Sequence, residues 1–339
     1  MRLPMRLDVL VDTGGGGVAV FETAVVCYLF LGGAGAGACA VLSVMGFLVP
    51  RRFLMSEVAD SSGRAVFAVR VPEEYRRFFS PGYVAALGTL MLGIVFLLVD
   101  LGRADRLLLL LQPRLTYLSI GAYALAVCVA VSVFAALMWR GALRVGRVWV
   151  FRFTGGVRLV AAFVVMLYTG LLLWDVRAVP LWSTPWLPAL FVLSALSCGI
   201  ALVMGADRLS EGSRFFSGFA MGLAKADVVV VLVEMAVAIG FVASGGFASS
   251  GETPTALAAA ASFSRLLSGD LSAAFWGGFV ACGLAAPLVI ETGAVLFRRS
   301  VPLVTLGASA LILVGGFFLR WCIVEAGVHP VVMTLASGV

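Results

Sequence analysis

The sequence predicts an all-α integral membrane protein of eight transmembrane helices. Three observations predict it. The chain of 339 residues is 62% hydrophobic and only 12% charged, whereas a soluble domain carries about 25% charged residues. Mean hydropathy is +1.08, so the protein could not cover its own surface in water. Uncharged apolar runs recur, each reaching the ~20 residues that cross a bilayer core. Helices are required because lipid offers the backbone no hydrogen-bond partner.

The spans are expected at residues 20–48, 81–100, 117–139, 153–174, 185–205, 226–244, 273–297 and 302–322. The first carries no charge between Glu22 and Arg51. It is too long for a signal-peptide core of about 7–15 residues and continues past the small residues near Ala36, so cleavage is not expected. Within it, GGAGAGA has the G-x-G-x-x-A spacing of a dinucleotide turn. Such a turn needs a strand before it and a helix starting at it. Here the glycines stand inside one apolar segment, four apart at Gly33 and Gly37 and at Gly32 and Ala36. They are expected to form a helix face for close packing in a bilayer.

Two links are long. Residues 49–80 are mixed in character and are expected along the membrane surface. Residues 245–272 open with SGGFASSGETPT and are expected to be flexible before a short apolar stretch. Links after the odd-numbered spans carry fifteen arginines and lysines against eight on the opposite side, Arg158 excluded. This bias places both termini outside. The small-residue placement of Leu31, Gly32, Gly33, Gly35 and Gly37 matches Leu193, Ser194, Ala195, Ser197 and Gly199, 162 residues on. That would fit two four-helix halves, although 39 glycines allow such a match by chance.

Chemistry is limited first by what is missing. His329 is the single histidine, so a bis-histidine haem is not expected, nor is the usual zinc set. The cysteines Cys27, Cys39, Cys128, Cys198, Cys282 and Cys322 form no C-x-x-C and suit small hydrophobes. The net charge of +6 follows from loop bias and does not require nucleic acid.

Ionisable groups inside a membrane are costly and commonly functional. Glu22, Asp100, Arg103, Asp175, Arg320 and Glu325 are placed at the outer ends. Glu234, Asp227 and Glu291 lie deeper, and Asp227 and Glu234, seven apart, share a helix face. These three suit either a proton route or polar contacts between helices. Arg158 is expected to snorkel to the inner surface. Residues 99–123, VDLGRADRLLLLLQPRLTYLSIGAY, combine Asp100 and Arg103 with Tyr117, Ser119 and Tyr123 after a proline turn. From chemistry alone, an ion pair of Asp100 and Arg103 there is expected to serve structure.

DLGRADRLLLLLQPR followed by YLSIGAY resembles the DLGRPxR…P…S…GxW segment of the NrfD/polysulfide-reductase family of membrane subunits. YLFLGGAGAGA resembles that family's first helix, STPWLPALFVLSALSCGIAL its fifth and GGFFLRWCIVEAG its last. Ala104 and Tyr123 depart from the proline and tryptophan common there.

The resemblance implies two four-helix bundles. The first covers 20–174 with inner loop 49–80, and the second covers 185–325 with outer loop 245–272. An outer segment 1–19 and an outer tail 326–339 flank them. It implies a quinone-interacting anchor, in the bacterial cytoplasmic membrane, of a molybdopterin oxidoreductase complex. The partners implied are a ferredoxin-like iron–sulfur subunit and a molybdopterin catalytic subunit. The anchor itself would hold neither haem nor cluster, and quinol, of menaquinone type, would be an exchangeable substrate.

Carried onto this sequence, Asp100 would accept a proton, with Arg103 tuning it and Glu22 relaying outward. Tyr28 would meet a quinone oxygen, with Tyr117, Ser119, Tyr123 and Arg320 around it. Quinone reduction at the same site, a proton-coupled transporter and a passive anchor stand as alternatives.

Overall fold

The computed structural model describes residues 17–50, 55–59, 65–69, 71–101, 117–143, 148–176, 179–210, 217–248, 253–297 and 301–327. Among them, eight helices are long and apolar enough to cross a membrane. The expected all-α membrane class holds, with one small addition.

Helix α1 spans Gly17–Leu48 and α2 spans Glu73–Leu101. Between them the strands β1 (Met55–Ala59) and β2 (Ala65–Val69) form an antiparallel hairpin, with Glu57 opposite Phe67. The link 49–80 therefore contains paired strands as well as the first turns of α2. That helix begins well before the expected residue 81, and Pro81 falls inside it. Glu73 and Glu74 occupy its first turn, where acidic groups complement the exposed backbone N–H groups.

Helix α3 is Tyr117–Trp139, α4 is Val148–Trp174 and α5 is Trp186–Leu209. Helix α6 is Ser217–Ala248, and α7 is a short helix, Pro254–Leu267. Helix α8 starts as a π-helical segment, Ala274–Ala285, and continues as Ala286–Leu296. Pro287 lacks the N–H that would extend a regular ladder back into the glycine-containing stretch before it, where i→i+5 pairing is found. Helix α9 is Pro302–Gly327.

In the first group of four, α1 packs on α2 and α4, while α3 packs on both. In the second, α5 packs on α6 and α9, and α8 packs on both. The groups meet mainly through α1 against α5. These two helices bury 72% of their apolar windows, against 28–50% for the other six. They form the centre, and the remaining helices turn a face outward. Exposed large side chains such as Val99, Val160, Val289 and Leu303 suit a hydrocarbon solvent.

The apolar stretch expected within 245–272 is α7. Thr253 caps it, its Oγ1 accepting from the Ala256 N–H at 3.2 Å. Ala258, Ser262, Phe263 and Leu266 are buried, and the helix packs on α6 and α9. Arg265 then forks onto Asp270, with Nε to Oδ1 at 3.1 Å and Nη2 to Oδ2 at 2.7 Å. Its Nη1 donates to the Glu325 carbonyl at 3.3 Å, which ties the link to the end of α9.

Hydrogen bonding to Asp270 raises the Arg265 pKa, and the same bonds hold the Asp270 carboxyl below its ordinary range. A depressed folded pKa gives stability that is present above the unfolded carboxyl value. That stability is lost as pH falls through the folded value. The pair is substantially exposed (27% and 60%), so it contributes under ~1 kcal/mol. Asp270→Asn should lower the melting temperature by roughly 2 °C or less and remove this acid-side dependence. Thermal melts of both proteins from acid to neutral pH check it.

Candidate functional site

Three clusters of buried polar groups stand out among the described residues. In the first, α1 supplies Tyr28, α2 supplies Asp100 at its last turn, and α4 supplies Tyr168. Tyr28 and Tyr168 are 8% exposed and are electrostatic neighbours of each other and of Asp100. Asp100 is half-buried. Two glycines permit this convergence. A Cβ at Gly121 would run into the Tyr168 ring, and one at Gly93 would approach the Gly32 nitrogen to 3.1 Å. Ser119, one turn before Tyr123, is buried at the start of α3.

Of the expected site residues, Tyr28, Asp100 and Ser119 are thus placed at one end of the first four helices. Tyr123, one turn further along α3, opens to the outside. It is 41% exposed and lines a shallow groove with Phe153, Val157 and Val160 of α4. Arg103 lies outside the described residues, as do the side chains of Glu22 and Tyr117 and the whole of His329. Tyr168 was not anticipated. It sits far along the sequence from the DLGR segment, and only the α3–α4 packing brings it there.

The second cluster is built on Arg320, which is fully buried. Its Nη1 donates to the Gly316 carbonyl at 2.7 Å and to Ser194 Oγ at 3.2 Å. The guanidinium lies over the rings of Phe191 at 5.3 Å and Phe30 at 5.7 Å. Its Nε and Nη2 have no hydrogen-bond partner. Gly33 leaves the room it occupies, since a Cβ there would stand 3.0 Å from Nη2. Arg320 therefore joins Ser194 and the buried Glu234, its electrostatic neighbour, instead of Tyr28.

Two turns along α6 lies Asp227, fully buried, facing Ser197 and Glu291. Neither Asp227 oxygen makes a well-formed hydrogen bond, and Glu291 Oε2 is likewise unpartnered. Helices α5, α6, α8 and α9 thus carry a buried seam of Arg320, Ser194, Glu234, Ser197, Asp227 and Glu291. Ser194 and Ser197 are three apart, so they share one face of a helix whose charged residues, Asp207 and Arg208, come only in its last turn. That spacing was the available signal for them.

In the third cluster Arg158 is 2% exposed, where snorkelling to a surface was expected. Ser43 accepts from its Nε at 2.8 Å, and the Tyr83 ring lies 4.8 Å from its Cζ. A deeper bond, Ser43 Oγ to the Cys39 carbonyl at 2.7 Å, fixes the acceptor. The helix has enough neighbours at this depth to hold the charge inside.

A large cavity, about 860 Å³, lies between α1, α4, α5 and α6 and is lined by residues such as Val44, Phe163, Leu196 and Val230. No titratable side chain lines it, so it offers room for hydrocarbon and no handle for a polar head group. Among the described residues, no group of three or more His, Cys, Asp or Glu could hold a metal ion. All six cysteines are free thiols.

The family model "Polysulphide reductase, NrfD" matches residues 13–331. The C subunit of polysulfide reductase from Wolinella succinogenes is 33% identical over 175 residues, 50% of this sequence and 52% of that protein. Protein NrfD of Escherichia coli is 30% identical over 169 residues, 50% of this sequence and 51% of that protein. The protein thus spans about half the length of the curated relatives it matches. With a match to the family model over nearly its whole length and eight membrane-compatible helices in place, the chain belongs to the NrfD family of multi-pass membrane proteins.

Proposed function

We propose that this protein is a membrane anchor subunit that oxidises a quinol and passes the electrons to an iron–sulfur partner subunit. That partner would be wired to a molybdopterin catalytic subunit, and the assembly would sit in the bacterial cytoplasmic membrane with both termini of the anchor outside. The observation that carries the reading is the convergence of Tyr28, Tyr168 and Asp100 at one end of the first four helices. A quinol needs acceptors at its two hydroxyl oxygens and an outlet for protons. Here a carboxylate and two phenols meet where α2 ends, beside the DLGR segment.

The chemistry balances as follows. The quinol loses two protons and two electrons and becomes the quinone. Asp100 takes the two hydroxyl protons one after the other, passing the first to Glu22 before it accepts the second. Tyr28 holds the opposite oxygen, and Tyr168 completes the wall. Glu22 carries protons outward, and Arg103 tunes Asp100. The electrons leave for a cluster on the partner subunit, which is reduced. Quinone and quinol are substrates here and stay exchangeable.

The seam of Arg320, Glu234, Asp227 and Glu291 gives this reading a second part, a proton route through the last four helices. Acids seven residues apart on α6 and a facing Glu291 lie in series along it. Unpaired carboxyls in such surroundings are costly unless they have a use.

The test is to purify the protein with whatever binds it, identify the partner subunits, and add quinol. Rapid reduction of clusters on a co-purified iron–sulfur subunit, blocked by a quinone-site inhibitor, is expected. Purification without any iron–sulfur partner would overturn the reading. A partnered complex that neither holds quinone nor responds to quinol would mark a passive anchor.

A further inference from the structure

We propose that the pocket between α1, α3 and α4 binds a monovalent anion of halide size, held by Arg152 and Arg158. The pocket is lined by Ser43, Trp139, Arg152, Thr154 and Arg158, and its volume of about 10 Å³ has room for one water-sized particle. Two buried donors in these walls have no partner, Arg158 Nη1 and Arg152 Nε. Arg152 has one long contact, Nη2 to the Val49 carbonyl at 3.5 Å.

Charge is the reason to expect more than water. Arg158 stands ten residues into α4, about 15 Å along its axis, near half the ~30 Å hydrocarbon thickness. Its bond to Ser43 and its position over the Tyr83 ring offset part of the desolvation cost and leave the charge uncompensated.

None of the described lining residues supplies a carboxylate. Helices α3 and α4 contain no acidic residue, and α1 has only Glu22 near its start. The acids of α2 stand at its two ends, Glu73 and Glu74 at one and Asp100 at the other. Thr154 spends its hydroxyl proton on backbone carbonyls of Val150 and Phe151. Two guanidiniums thus face one small cavity with free N–H groups and, among the described residues, no carboxylate beside them. A single spherical anion satisfies both, whereas a phosphate or sulfate is too large for the space.

The test uses the full-length protein, with its partners where they co-purify. Melting temperature is measured in sodium chloride and sodium bromide against sodium gluconate at equal ionic strength, with sulfate as the larger-anion arm. Halide should raise it saturably by about 3 °C or more, and Arg152→Gln and Ser43→Ala should each abolish most of that rise. Crystals grown in bromide should show an anomalous peak between Arg152 and Arg158, which needs no variant. The proposal fails if wild-type protein melts alike in halide and gluconate. It also fails if the variants keep the full rise, if only sulfate stabilises, or if the pocket shows water without anomalous signal.

Discussion

Asp100→Asn should cut quinol-driven turnover by roughly a hundredfold or more while the complex still assembles. The size follows from the usual contribution of a positioned general base, about 10²–10⁴-fold. The substitution is nearly isosteric and keeps a hydrogen-bonding side chain at the last turn of α2, so packing should not change. What disappears is the capacity to take a proton. Asp100 is the one carboxyl among the described residues of the first four helices that stands beside Tyr28 and Tyr168. The measurement is the rate of quinol-driven cluster reduction in the purified complex, with subunit stoichiometry as the assembly control. A wild-type rate in the variant would mean that Asp100 is not the acceptor.

Much of the framework was legible in the sequence because membrane insertion imposes a crude, readable rule: long uncharged runs become helices. The span at 117–139 matches α3, and the last span opens at Pro302 as α9 does. Boundaries failed where a residue can be helical without being apolar. The first turns of α2 carry Glu73, Glu74, Arg76 and Arg77, which end a hydropathy run without ending a helix. The hairpin at 55–69 was invisible, and α7 was legible only as a short apolar stretch, because both are too short for a hydropathy window.

Faces were harder to read than spans. Helix α3 is apolar all round, and Ser119 and Tyr123, four apart on one side of it, differ in burial through what packs beside each, which no periodicity records. Snorkelling was a sound expectation for Arg158, but it assumes a lipid-facing position. Packing against α1 places that side chain beside Ser43 and Tyr83 instead. Long-range convergence, as of Tyr168 with Asp100 or of Arg320 with Ser194, depends on which helices touch. No periodicity within one sequence encodes that.

Gly37→Ala should cost about 3 kcal/mol or more, beyond the middle of the overpacking range, whereas Gly32→Ala should be neutral or stabilising by up to ~1 kcal/mol. The two glycines lie in the same run and differ by what stands opposite. A Cβ at Gly37 would collide with the Ala195 carbonyl oxygen of α5, which is backbone and cannot rotate away. A Cβ at Gly32 would meet nothing within 4 Å, so alanine there brings only its better helix propensity. The collision is reciprocal, since a Cβ at Gly199 would strike the backbone of Gly37 and Ala38.

Helices α1 and α5 therefore cross with their backbones in contact at Gly37 and Gly199, the pair that the small-residue match aligns. Because this crossing joins the two groups of four, Gly37→Ala should lower the melting temperature and the yield of folded protein. Gly199→Ala should do the same. The double variant should lose less than the sum of the two, because helices already forced apart leave room for the second methyl. Thermal melts of the four variants in one detergent decide it. Equal effects from Gly32→Ala and Gly37→Ala would mean that the glycine run sets helix flexibility rather than contact.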